Sequence, residues 1–119
     1  MAKEMTIAAA LHKHVFGPDD PSDMLVDAGR FPMGWVKEYR RLLRLVEVEW
    51  LSEPLWPRDL VVALYYVATH LELRYKTWRT MEGGEKADEE TERELREVLA
   101  PTRLFFAKAF PADSMAGGR

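Results

Sequence analysis

From Leu60 to Thr69 the chain runs ten residues without a charge, inside a longer stretch, Trp56–Met81, that has helical spacing throughout. Leu60, Leu64, Val67, Leu71, Tyr75 and Trp78 recur at steps of three and four, the period of one face of an α-helix. Val61, Val62, Tyr65 and Tyr66 fill the other directions around its first half. A helix that is apolar on every side must be covered on several sides at once. The segment is therefore expected to be the central, most buried rod of a helical bundle, with Leu64 deep in the core.

The rest of the chain supplies neighbours for such a rod. A first helix is expected over Lys3–Phe16, where Ile7, Leu11 and Val15 share a face. Gly17-Pro18 stops it, the glycine accepting a left-handed cap and the proline forbidding continuation. Asp20-Pro21-Ser22-Asp23 signals a short helix over Pro21–Ala28, ended by Gly29. A second long helix starts near Pro32 and runs to Leu51, with Trp35, Tyr39, Leu42, Val46 and Trp50 in one stripe. The break Ser52–Leu55 is tight, so the rod should return antiparallel. Glu82–Lys86 reads as a surface turn. A last helix begins near Asp88 and presents Leu95, Val98, Thr102, Phe105 and Ala109, with a kink or break expected at Pro101. Pro111 ends it, and 112–119 reads as a disordered tail.

The expected architecture is all-α: one domain over 1–111, an antiparallel bundle of four main helices and one short one. At 119 residues and 47% hydrophobic content the chain can bury one core. Trp35, Trp50, Trp56 and Trp78 imply that much of it is aromatic.

Composition also limits the chemistry. With 17 basic and 20 acidic residues the net charge is −3, which argues against a dedicated nucleic-acid binder. The absence of cysteine removes disulfides, thiolate metal sites and cysteine nucleophiles. The apolar run Thr6–Leu11 is too short for a signal peptide, and Leu60–Thr69 is about half the length a bilayer crossing requires. These features suggest a cytoplasmic chain with no membrane contact.

Several clusters invite a functional reading. His12 and His14 project about 200° apart on a helix and cannot grip one metal. They read as a solvated helix end. Asp19, Asp20 and Asp23 lack the glycine and terminal glutamate of a calcium loop and read as helix caps. Tyr66, His70 and Arg74, spaced by four, form the best ligand-binding candidate: one row carrying a phenol, an imidazole and a guanidinium, suited to an anion or phosphate. The alternative is that Tyr66 and His70 are core groups with satisfied polar tips. Lys37, Arg40, Arg41 and Arg44 form the dense basic run, read either as a contact for phosphates or an acidic partner, or as a solvated face offset by Glu38, Glu47 and Glu49. Glu72 and Lys76 make a surface pair.

An enzyme is weakly supported. Ser22, Ser52 and Ser114 sit in no nucleophile-elbow context, Gly83-Gly84 lacks the rest of a phosphate loop, and no Glu-x-x-His pair supports a di-iron site. No cofactor is implied. Val61–His70, VVALYYVATH, resembles the tyrosine-rich helix of HEPN-type domains, small four-helix modules that include RNA-cleaving toxins and inactive relatives and are commonly dimers. The resemblance implies association with nucleic acid or a toxin–antitoxin or defence system. The ribonuclease motif of that family, an arginine followed by a later histidine, is missing, since no histidine follows His70. Such a domain would be non-catalytic.

The leading expectation is thus a non-catalytic interaction or regulatory module that binds a protein partner or itself as a homodimer. Phe105 and Phe106 point about 100° apart on a helix, and Phe110 extends the Phe106 side, so Phe106–Phe110 is the expected self-association edge. In a monomer that edge would need an internal partner, with the first helix the nearest candidate.

Overall fold

The computed structural model describes residues 6–17, 21, 30–81 and 89–110, and every regular element among them is helical. They form α1 (Ile7–Phe16), α2 (Trp35–Trp50), α3 (Arg58–Met81) and α4 (Glu89–Ala109). The fold is an all-α helical bundle. The expected short helix Pro21–Ala28, the acids Asp19, Asp20 and Asp23, the Glu82–Lys86 turn and the 112–119 tail fall outside the described residues, apart from Pro21, which is helical and buried.

Side-chain pairings set the topology. Tyr39 meets Thr102 and Glu47 meets Lys108, so α2 and α4 lie side by side and run the same way. Tyr75 meets Glu92 and Trp56 meets Phe105, so α3 and α4 run in opposite directions. The short connection after Trp50 does reverse the chain, as expected. Yet α2 and α3 are not close neighbours, because α1 and α4 each pack against both and lie between them.

The helix ends follow local chemistry. Thr6 caps α1, its Oγ1 accepting from the Ala9 N–H at 3.1 Å. At the other end Gly17 is extended, with φ −84°, and not in the expected left-handed cap. Its requirement for glycine is steric: a Cβ there would stand 2.3 Å from the Lys13 carbonyl oxygen. The left-handed glycine is Gly34, at φ 76°. It turns the chain after Pro32 and delays α2 to Trp35, three residues beyond the expected start. Helix α4 passes through Pro101 without a break.

The expected stripes meet in one core. Leu11, Val15, Trp35, Tyr39, Val46, Leu60, Leu64, Val67, Leu71, Val98 and Phe105 are all buried. Across this core the Tyr39 hydroxyl bonds Thr102 Oγ1, which itself donates to the Val98 carbonyl at 2.7 Å. Because the one threonine hydrogen is committed to Val98, Tyr39 must be the donor.

The rod itself departs from expectation. Leu60, Ala63, Leu64, Val67, Leu71 and Tyr75 are buried, but Val61 and Val62 are each 41% exposed, Tyr65 58% and Leu73 61%. The reason is the topology: α1 and α4 flank α3 on its inner side and α2 lies diagonally across the core. The side of α3 away from the core has no helix against it among the described residues.

Candidate interaction surface

On α3 the residues 62, 65, 69 and 73 follow steps of three and four, so Val62, Tyr65, Thr69 and Leu73 share the outward face, with Val61 at its edge toward α4. All five are exposed. The floor of this face is rigid, because the opposite side of the same helix carries the buried Leu60–Leu64–Val67–Leu71 stripe. Beyond the helix N-terminus, Leu51, Pro54, Leu55, Trp56, Val61 and Phe110 line a cleft of about 570 Å³. Leu55 on its rim is 82% exposed.

The expected Phe106–Phe110 edge borders this cleft and has an internal partner in Trp56, not in the first helix. The Trp56 ring lies 5.1 Å from Phe105, 6.1 Å from Phe106 and 5.4 Å from Phe110, centroid to centroid. It is anchored there by its Nε1–H, which donates to the Trp50 carbonyl at 2.8 Å. Phe106 is half-buried as a result, while Phe110 keeps an exposed edge.

The Tyr66–His70–Arg74 row lies on the α1 side of α3. The Tyr66 and His70 rings stack at 5.6 Å, nearly parallel at 3°. Phe16 of α1 packs on Tyr66 at 5.0 Å, and His12 packs on Phe16 at 4.9 Å, so four rings form a line across two helices. Spacing within one helix finds Tyr66 and His70 but not Phe16, because the contact between α1 and α3 is long-range. His70 and Arg74 are exposed and Tyr66 is half-buried. His70 is therefore not the core group of the alternative reading. Thr69 Oγ1 donates to the Tyr65 carbonyl at 2.7 Å, so its 3.0 Å contact with His70 Nδ1 places the proton on Nδ1. In the neutral ring Nε2 is then the lone-pair nitrogen. The row lies open on the surface: its two polar heads beyond Tyr66 face solvent.

His14, expected in a solvated helix end, is half-buried and holds α1 to α2. Its Nε2–H donates to the Trp35 carbonyl at 3.0 Å, and Trp35 Nε1–H donates back to the His14 carbonyl at 3.1 Å. The two rings stack at 4.6 Å. His12 and His14 are thus committed to different neighbours. Among the described residues no three histidine or carboxylate side chains come together as a metal site.

Lys37, Arg40, Arg41 and Arg44 are all exposed. Arg41 grips Glu38 with two hydrogen bonds, at 2.8 and 2.7 Å, and that guanidinium holds the Glu38 carboxyl below its ordinary pKa. Lys37, Arg40 and Arg44 instead line a shallow cleft of about 240 Å³ whose other wall carries Glu94 and Glu97 of α4. The basic run therefore faces carboxylates within its own fold. On the far side of α4, Arg103 reaches Glu72 at 2.9 Å and the Ala68 carbonyl at 3.1 Å, tying α3 to α4. The Arg103 hydrogen bond, helped by Lys76, holds the Glu72 carboxyl below its ordinary pKa.

No protein-family model matches this chain, and no curated protein or solved structure matches it either. The HEPN resemblance accordingly rests on the Val61–His70 segment alone. No helix among the described residues is long and apolar enough to cross a membrane.

Proposed function

We propose that the protein is a non-catalytic helical interaction module that uses the outward face of α3 to bind a protein surface. One observation carries this reading: α3 is apolar all round in its first half yet buried on one side only, leaving Val61, Val62 and Tyr65 exposed, with Leu73 further along. Scattered exposed apolar residues are ordinary, but contiguous ones on a single rigid helix face mark an interface. Aromatic and branched side chains at the centre, with Arg58 and Lys76 at the ends, match the apolar-core and polar-rim arrangement of such surfaces.

The reading is tested by placing a photo-crosslinking amino acid at position 65 in cells and, as a comparison, at the exposed position 37. The expected result is a discrete adduct from position 65 and none from position 37. Adducts from position 37 alone, or from neither, would overturn it.

A further inference from the structure

The occupant of the α3 face can be specified further. Resting on the interaction-module reading, we infer that its partner is a second copy of this chain, docked antiparallel about a two-fold axis that crosses α3 level with Val67.

The exposed apolar area suits a second copy. With about 150–230 Å² for a fully exposed side chain of these types, Val61, Val62, Tyr65 and Leu73 leave on the order of 400 Å² open per chain. A stable interface buries about 800 Å² per partner, of which somewhat over half is apolar. The patch therefore has the size of the apolar part of one dimer interface and needs only a polar rim to complete it.

The order of residues along the face suits a two-fold axis. A two-fold interface pairs residue i with j and j with i, so the sequence along it must suit its own reversal. Tyr65 and Thr69 stand two residues either side of Val67, and Val62 and Leu73 stand five before and six after it. Reversal about Val67 sets Tyr65 against Thr69 of the second copy and Val62 against Leu73, then repeats both contacts. A ring lies on a threonine methyl and hydroxyl at the centre, and branched aliphatics meet at both ends. Tyr65 keeps its hydroxyl at the edge of the contact, where a partner or water satisfies it.

The same reversal brings the charged rim residues together. Arg58 and Lys76 stand nine residues either side of Val67, so it brings two cations toward each other at each end. Each cation has a carboxylate near it: Glu72 lies 3.5 Å from Lys76, and the exposed Asp59 follows Arg58. The dimer is thus driven by apolar contact, with the rim charges offset locally, and added salt should leave it intact. An electrostatically steered partner would instead be released by salt.

The test is light scattering on the full chain across a wide concentration range, with Val62→Glu and Tyr65→Glu variants alongside. Twice the chain mass of 13.8 kDa is expected for the parent, with association retained at higher salt. Each variant should weaken the association about a hundredfold or more, because a carboxylate would enter an apolar interface without a partner. Because the chain has no cysteine, register can be read directly by oxidising a mixture of Tyr65→Cys and Thr69→Cys chains. Mixed disulfides should form in excess over like-with-like. A parent that stays monomeric, a dimer untouched by both glutamates, or cross-linking without the mixed preference would overturn the inference. If the chain is monomeric while position 65 still captures a different protein in cells, the self-association fails and the interaction-module reading stands. If it is monomeric and position 65 captures nothing, both fail.

Discussion

Tyr39 and Thr102 illustrate how much of the specificity of this bundle rests on single side chains. Both are buried, and the hydroxyl relay Tyr39 to Thr102 to Val98 has a fixed direction. Thr102→Val leaves a buried phenol donor without an acceptor and should cost about 1–3 kcal/mol, whereas Tyr39→Phe removes the donor and should cost about 1 kcal/mol. Urea denaturation checks this order, and a larger loss from Tyr39→Phe would contradict the assigned donor. Burial also pushes the Tyr39 pKa far above its ordinary value of 10.0, against a smaller opposing effect of the Thr102 bond. A raised folded-state pKa gives stability that is fully present below about pH 10 and lost as pH rises above it, since the unfolded chain ionises first. The parent should therefore lose stability more steeply above pH 10 than Tyr39→Phe does. Equal slopes would place the phenol in solvent. Gly34 is the corresponding backbone case: at φ 76°, Gly34→Ala should cost about 1–2 kcal/mol although its Cβ would meet nothing within 4 Å. Calorimetry showing no loss would mean the turn is not left-handed in solution. Of these residues, the tyrosine stripe was legible from spacing. The Thr102 partnership and the His14–Trp35 clasp join residues 63 and 21 positions apart, and no local pattern encodes such pairs.

At the scale of elements, periodicity located all four helices and nearly all of their inner faces. Leu11 and Val15, Trp35 to Val46, Leu60 to Tyr75, and Leu95 to Phe105 each meet the core as their spacing requires. What spacing left open was the environment of the opposite faces. An apolar run around a whole helix turn reads the same whether the far side meets another helix, a partner or water, so the spacing predicts a rod covered on several sides whereas Val61, Val62 and Tyr65 are exposed. The reverse holds for Phe106, which is shielded by Trp56 from a connecting segment. The Tyr66–His70–Arg74 row was legible as one face of a helix, but Phe16 and His12, which extend it onto α1, were not. Charge was legible only in sequence terms as well. The run Lys37, Arg40, Arg44 lines one cleft with Glu94 and Glu97, brought by α4, so its pull on phosphates is offset. Binding to duplex nucleic acid is accordingly expected to be weak at physiological salt and lost on replacing Arg40, Arg41 and Arg44 with glutamate. A filter or anisotropy assay showing tight binding in the parent, or salt-sensitive binding retained in the triple variant, would contradict this.

Across the whole molecule the decisive feature is the order of packing. Because α2 and α4 run parallel and α1 and α4 separate α2 from α3, the helix with the long uncharged run has its close neighbours on one side, and among the described residues no helix lies against the opposite side. The arrangement gives a single chain both a core and an uncovered apolar surface on the same rod, and the proposed function follows from that division. Leu64 and Tyr65 are consecutive residues on the two sides of it, one fully buried and the other 58% exposed. The most direct measurement is a pair of thermal melts, Leu64→Asp against Tyr65→Asp, at dilution low enough that self-association does not contribute. Leu64→Asp should fail to fold, because an unpaired carboxylate in the core costs several kcal/mol out of a total of about 5–15. Tyr65→Asp should melt close to the parent, with a change of about 0.5 kcal/mol or less. Comparable losses from both substitutions would mean that α3 is buried all round and that no such surface exists.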